Sequence, residues 1–132
     1  MQEIELFVGQ WTDGPEQNRR AFIELKEYLA ALTGVKLSFN PRPGLTYSLR
    51  ASQDGQKDRP LFVMVDVIED NPRWLSACFY GDMISDPDEK GDFVPGGLLG
   101  QDARCFDINR YDADFMGYIK AKIVEACTAA RR

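Results

Sequence analysis

Two apolar runs, Leu61–Ile68 and Trp74–Met83, lie near the middle of the chain, separated by Glu69-Asp70-Asn71-Pro72-Arg73. That pattern predicts two adjacent strands joined by a polar hairpin loop. In Leu61–Ile68 both faces are apolar until Asp66, as in a strand covered on both sides or nearly so. In the second run Trp74, Ser76, Cys78 and Tyr80 alternate with Leu75, Ala77 and Phe79.

The flanking segments complete an α+β pattern. Val35–Asn40 and Leu45–Ala51 alternate as strands around the stiff turn Pro41-Arg42-Pro43-Gly44. Leu45, Tyr47 and Leu49 fall on one face of the second, with Thr46, Ser48 and Arg50 on the other. Ser52–Asp58 reads as a loop with Gly55 at its tip, and Arg104–Ile108 as a short fifth strand. A first helix starts near Asp13, a capping residue, with Pro15 in the first turn and Glu16 three residues on. It carries Phe22, Leu25, Leu29 and Leu32 on one face to about Thr33, and Gly34 ends it. A last helix, capped by Asn109 or Asp112, runs through Ala130 with Met116, Ile119, Ile123, Ala126 and Cys127 inward. Met1–Trp11 fits two readings: a strand alternating Ile4, Leu6 and Val8, or a short helix packing Ile4, Phe7 and Val8. Gly81–Ala103, rich in Gly, Asp and Pro, is expected to be a long functional loop. The fold expected is one domain over residues 1–132: an antiparallel sheet of four to five strands, with N- and C-terminal helices packed on one face. The other face is left to solvent, a ligand or a second subunit.

The 132 residues contain no histidine. That removes Ser–His and Cys–His nucleophile pairs, His-assisted acid–base chemistry and His-containing zinc sites together. Three widely spaced cysteines, Cys78, Cys105 and Cys127, argue against a disulfide framework or a metal knuckle. Cys78 and Cys127 fall in apolar patterns as small buried residues, and Cys105, beside Arg104, is the one with a route to reactivity. No apolar run reaches the roughly 18 residues that span a bilayer, and no basic segment precedes an apolar core at Met1. The expected location is cytoplasmic, without membrane association.

The net charge of −5 is concentrated: Glu69–Asp114 holds eleven acidic residues against Arg73, Lys90, Arg104 and Arg110. Such a surface disfavours nucleic acid and suits a cation or a basic partner. Asp82, Asp86, Asp88 and Asp92, with Glu89, form an oxygen-rich group that could hold a hard cation or iron, although Pro87 and a missing bidentate Glu depart from an EF-hand loop. Gly96-Gly97-Leu98-Leu99-Gly100 lacks the following helix of a phosphate cradle and reads as a tight bend. Arg42, Arg50 and Arg59 could gather at one sheet edge and, with Tyr47 and Ser48, clamp a carboxylate or phosphate. Arg42, Tyr47, Arg50, Trp74 and Tyr80 are accordingly the candidate ligand or partner residues, the aromatic ones forming an apolar patch if they share the open face.

The order helix, TYSLRA, RPLFVMVDV, WLSACFY, glycine-rich turn, RCFDI, helix resembles small bacterial domains of the YdhG-like type over roughly Pro15–Ala130. The resemblance implies a β-sheet flanked by terminal helices, in a group including domains described as frataxin-like iron chaperones, and assigns no residue a role. The function expected is a non-enzymatic module that engages a protein partner or a second copy of itself, with no cofactor. The alternatives are a cation-binding or iron-handling protein using residues 82–92, and a small carboxylate-based enzyme.

Overall fold

The computed structural model describes residues 2–132. Its elements in order are α1 (Gln2–Gln10), α2 (Asn18–Ala30), β1 (Val35–Arg42), β2 (Thr46–Gln53), β3 (Val63–Ile68), β4 (Trp74–Tyr80), β5 (Asp92–Leu98), β6 (Gln101–Ile108) and α3 (Ala113–Ala130). The segment Met1–Trp11, of which Met1 lies outside the described residues, is helical from Gln2. The helix turns Ile4, Phe7 and Val8 into the core and leaves Leu6 64% exposed. A strand would have put Ile4, Leu6 and Val8 on one face. Phe7 stacks on Tyr47 of β2 with ring centroids 4.3 Å apart, which fixes α1 against the sheet.

The second helix starts later than Pro15. Gln17 takes a left-handed conformation (φ 58°), and the helix begins at Asn18. Asp13 still serves its end from a distance, accepting from the backbone N–H of Arg19 and Arg20 at 3.1 and 3.2 Å. Asn18 is fully buried, and its Nδ2 donates to the carbonyls of Arg73 (2.7 Å) and Asn109 (3.1 Å). One side chain thus ties α2 to the β3–β4 hairpin and to the approach to α3. Asp112 caps α3 by accepting from Asp114 N–H, and Met116, Ile119, Ile123, Ala126 and Cys127 are buried as the periodicity requires.

The sheet has six antiparallel strands in the order β1-β2-β3-β4-β6-β5, one more than the upper expectation. The additional strand, β5, and the first residues of β6 lie within Gly81–Ala103, where no strand was expected. Pro95 and paired glycines weaken the strand signal, and an edge strand tolerates them because one side of its ladder is unpaired. After β4 the chain passes to the outer edge as β5 and returns as β6 between β5 and β4. That return sets Cys78 directly opposite Cys105, and the two are disulfide-bonded, correcting the expectation of unpaired thiols. Spacing along the chain, 27 residues, carries no sign of a contact made by topology.

All three helices contribute to one core against a single face of the sheet, built on Leu49, Val65, Val67, Ala77, Phe79 and Phe106. On the opposite face a smaller cluster, Leu61, Cys78, Tyr80, Leu98, Ala103 and Cys105, closes one end. Thiol titration of the denatured protein is expected to find one reactive group, Cys127, before reduction and three after it. Replacement Asn18→Ala removes both hydrogen bonds made by a fully buried side chain and leaves a gap in its place, and urea denaturation should register a loss of about 1–3 kcal/mol.

Candidate functional site

Strand pairing arranges the open face as cross-strand ladders. One runs Arg42–Thr46–Ile68–Trp74, the next Asn40–Ser48–Asp66–Ser76–Asp107, and the next Ser38–Arg50–Met64–Cys78–Cys105–Asp92. Every residue named shares one face because antiparallel partners point the same way and the strand period is two. Two guanidiniums, from Arg42 and Arg50, therefore flank the ladder that carries Ser48 and Asp66.

The β5–β6 turn covers this spot. Gly96, Leu99 and Gly100 all have positive φ (65°, 49° and 86°), so the hairpin end curls over the sheet instead of continuing flat. Leu98 is buried against Leu61, Cys78 and Tyr80, while Gly97 and Leu99 reach the ladders of β1–β3. A Cβ on Gly97 would collide with the Val94 side chain, so the curl needs glycine there. The result is a pocket of about 390 Å³ between the turn and Asn40, Arg42, Thr46, Ser48, Arg50, Met64 and Asp66.

The polar groups of the pocket form a directed set. Arg50 Nε donates to Ser48 Oγ at 3.2 Å, and Arg42 Nη2 donates to Thr46 Oγ1 at 3.2 Å. The Asn40 amide satisfies its neighbours with its oxygen toward Arg50 Nη1 (3.0 Å) and its nitrogen toward the Phe39 carbonyl (3.2 Å). Ser48 is 4% exposed, and Asp66 Oδ1 is buried without any hydrogen-bond partner. Burial pushes the Asp66 carboxyl above the ordinary aspartate value, and the Ser48 hydrogen bond with the charges of Arg50 and Arg42 offsets only part of that rise. Further along the same ladder Asp107 is also raised, by burial and then by the charge of Asp92, against a hydrogen bond from Ser76.

Among the described residues neither Arg42 nor Arg50 joins an ion pair. Two other hollows differ in this respect. The hollow of about 520 Å³ beside the β3–β4 hairpin contains Glu69 and Arg73, which pair at 2.9 Å. The hollow of about 630 Å³ near the start of β6 contains Arg59, held by Asp82 at 2.6 Å and by Gln101, and lying over the Tyr80 ring. Charges already paired offer little to a ligand. The pocket under the β5–β6 turn instead brings together two guanidiniums that join no ion pair among the described residues.

Of the residues marked out in the sequence, Arg42 and Arg50 meet in this pocket, and Arg59 stands apart with Asp82. Tyr80 is on the same sheet face but fully buried, its hydroxyl without a partner and its pKa raised by burial against the charges of Arg59 and Arg50. Trp74 is on that face at the hairpin end of β4, its Nε1 donating to Asp70 at 3.2 Å. Tyr47 faces the helices and donates to Glu69 Oε1 at 2.9 Å. The aromatic residues thus form no common patch. Asp82, Asp86, Asp88 and Asp92 are dispersed, and among the described residues no three carboxylates or thiols gather as a metal-binding group. Burial would raise the Asp86 carboxyl, but hydrogen bonds from Tyr118, Gly91 and Lys90, with the charge of Arg104, hold it below the usual carboxylate range. Asp86 is thus the anchor of its own turn. Asp66 and Asn40 were missed as site residues, although the single carboxylate interrupting an apolar strand was a usable signal for Asp66.

Comparison with protein-family models, curated proteins and solved structures finds no match for this chain.

The raised Asp66 pKa carries a pH signature. Between the unfolded carboxylate value, about 4, and the higher folded value, the folded chain binds more protons than the unfolded one, so stability falls as pH rises. Below that window the penalty is absent, and above it the penalty is complete. Urea denaturation of the protein and of Asp66→Asn from about pH 3 to about pH 8 should show the variant gaining relative stability across the window and keeping a constant lead above it. Asp107 titrates in the same direction in both proteins and cancels from the difference.

Proposed function

We propose that this chain is a non-enzymatic binding domain whose ligand is a small anion, taken up between Arg42 and Arg50 beneath the β5–β6 turn. One observation carries the reading: two guanidiniums without ion-pair partners border a roofed polar pocket in a chain of net charge −5. An acidic protein has carboxylates available to neutralise its arginines, and it does so for Arg59, Arg73 and Arg104. Among the described residues Arg42 and Arg50, both facing the pocket, are left without such a partner. A guanidinium presents planar paired donors suited to a carboxylate or phosphate, and partial exclusion of water strengthens such bonds. The volume, about 390 Å³, suits a metabolite-sized molecule.

This reading moves the binding role away from a protein partner and from the acidic 82–92 segment, where Asp82 and Asp86 already have partners. The exposed large apolar side chains, Leu6, Leu45, Phe93, Leu99 and Val124, come from five different elements or turns.

Titration of the isotope-labelled protein with acetate, succinate and inorganic phosphate, followed by NMR, tests the proposal. The expected outcome is saturable shifts at Asn40–Arg50, Met64–Asp66 and Gly96–Leu99, with affinity for the best anion reduced about tenfold or more by Arg50→Gln. Anions that produce no saturable shift, or shifts that ignore Arg50, would sink it.

A further inference from the structure

We propose, resting on the anion-binding reading above, that the ligand of this pocket is a short amino-acid-like zwitterion, its carboxylate between Arg42 and Arg50 and its ammonium group donating to Asp66. The open face is graded in charge across the sheet. The cations come from β1 and β2, and the carboxylates Asp66, Asp107 and Asp92 come from β3, β6 and β5. A simple anion answers only the first half of that arrangement.

The grading is sharpest at Asp66. Its Oδ1 is buried with no hydrogen-bond partner. Leaving a carboxylate oxygen dry and unpaired is unfavourable, and a ligand donor removes the penalty. Ser48 cannot satisfy both carboxylate oxygens, because its hydroxyl, whose oxygen accepts from Arg50, has a single proton to donate. An ammonium group supplies up to three donors and a compensating charge.

Spacing supports a short molecule. Asp66 lies on the ladder between those of Arg42 and Arg50, each about 7 Å away along the strand direction. Ser48, its ladder neighbour on β2, is one strand spacing away, about 4.8 Å. A carboxylate placed over Asn40 and Ser48 reaches both arginines, and an amine one or two carbons further falls over Asp66. Met64 offers the carbon skeleton an apolar surface, and the curled turn at Gly97 and Leu99 limits its length.

Calorimetry and carboxyl-carbon NMR with acetate, methylammonium, alanine and β-alanine test the inference. Alanine or β-alanine should bind about tenfold tighter than acetate, and Asp66→Asn should remove that advantage without weakening acetate binding. In the unaltered protein, the Asp66 titration midpoint should fall when the amino acid is added, because a nearby ammonium favours the charged carboxylate. This measurement carries the test alone if the variant does not fold. Equal binding of acetate and the amino acids, still dependent on Arg50, would overturn the zwitterion and leave the anion site standing. Absence of binding by every compound would overturn both.

Discussion

The register of β2 against β3 is the constraint on which both the core and the pocket depend. Leu49 pairs with Val65 on the helix side, and Ser48 with Asp66 and Arg50 with Met64 on the other. Because side chains alternate, a slip of one residue in either strand would exchange its faces. It would drive Arg50 or Asp66 toward the helices and expose Leu49 or Val65. Full burial of each such aliphatic side chain contributes about 1.5–3 kcal/mol, and burying an unpaired charge costs more than that. Packing and electrostatics therefore select the same register. The arrangement of charges on the open face is a by-product of the same choice that builds the core.

Covering only one face with helices leaves the sheet with a second face that must be reconciled with water. Near β4 and β6 the solution is apolar, with Leu61, Tyr80 and Leu98 packed around Cys78 and Cys105. Near β1–β3 it is polar, and the curled end of the β5–β6 hairpin closes over it. The concentration of left-handed residues at Gly96, Leu99 and Gly100 follows from that curl. The hairpin thus has two connected tasks: burying Leu98 seats its tip, and the seated tip roofs the pocket.

Charge pairing separates this pocket from the hollows that contain Arg59 and Arg73. Acidic side chains are abundant, yet they are used locally. Asp86 takes the N–H groups of Lys90 and Gly91 and the hydroxyl of Tyr118, Asp82 holds Arg59, and Glu69 holds Arg73. A dense run of carboxylates in the sequence thus becomes a set of turn anchors and ion pairs. Among the described residues the buried side-chain polar atoms without a partner are Asp66 Oδ1 and the Tyr80 hydroxyl on the open face and Asn18 Oδ1 at the start of α2.

Local periodicity determined the parts of this protein that local physics controls. Trp74–Tyr80 is the strand its alternation indicates, α3 ends at Ala130 with its five predicted inward residues buried, and Ser48 and Arg50 lie on the strand face opposite Tyr47 and Leu49 as the alternation requires. In each case the deciding factor is which face of a short segment leaves water. The remaining features required the tertiary structure. Strand β5 carries proline and glycines that suit only an edge, so its identity depends on where it sits. The Cys78–Cys105 bond exists because β6 inserts beside β4, and Tyr47 and Tyr80 take opposite faces through pairing in the assembled sheet. Asp66 could be read as a carboxylate in an apolar strand, but its missing partner follows from the roof supplied by residues some thirty positions later. A side chain's chemistry is written locally, whereas the solvent and neighbours that tune it are assembled from the whole chain.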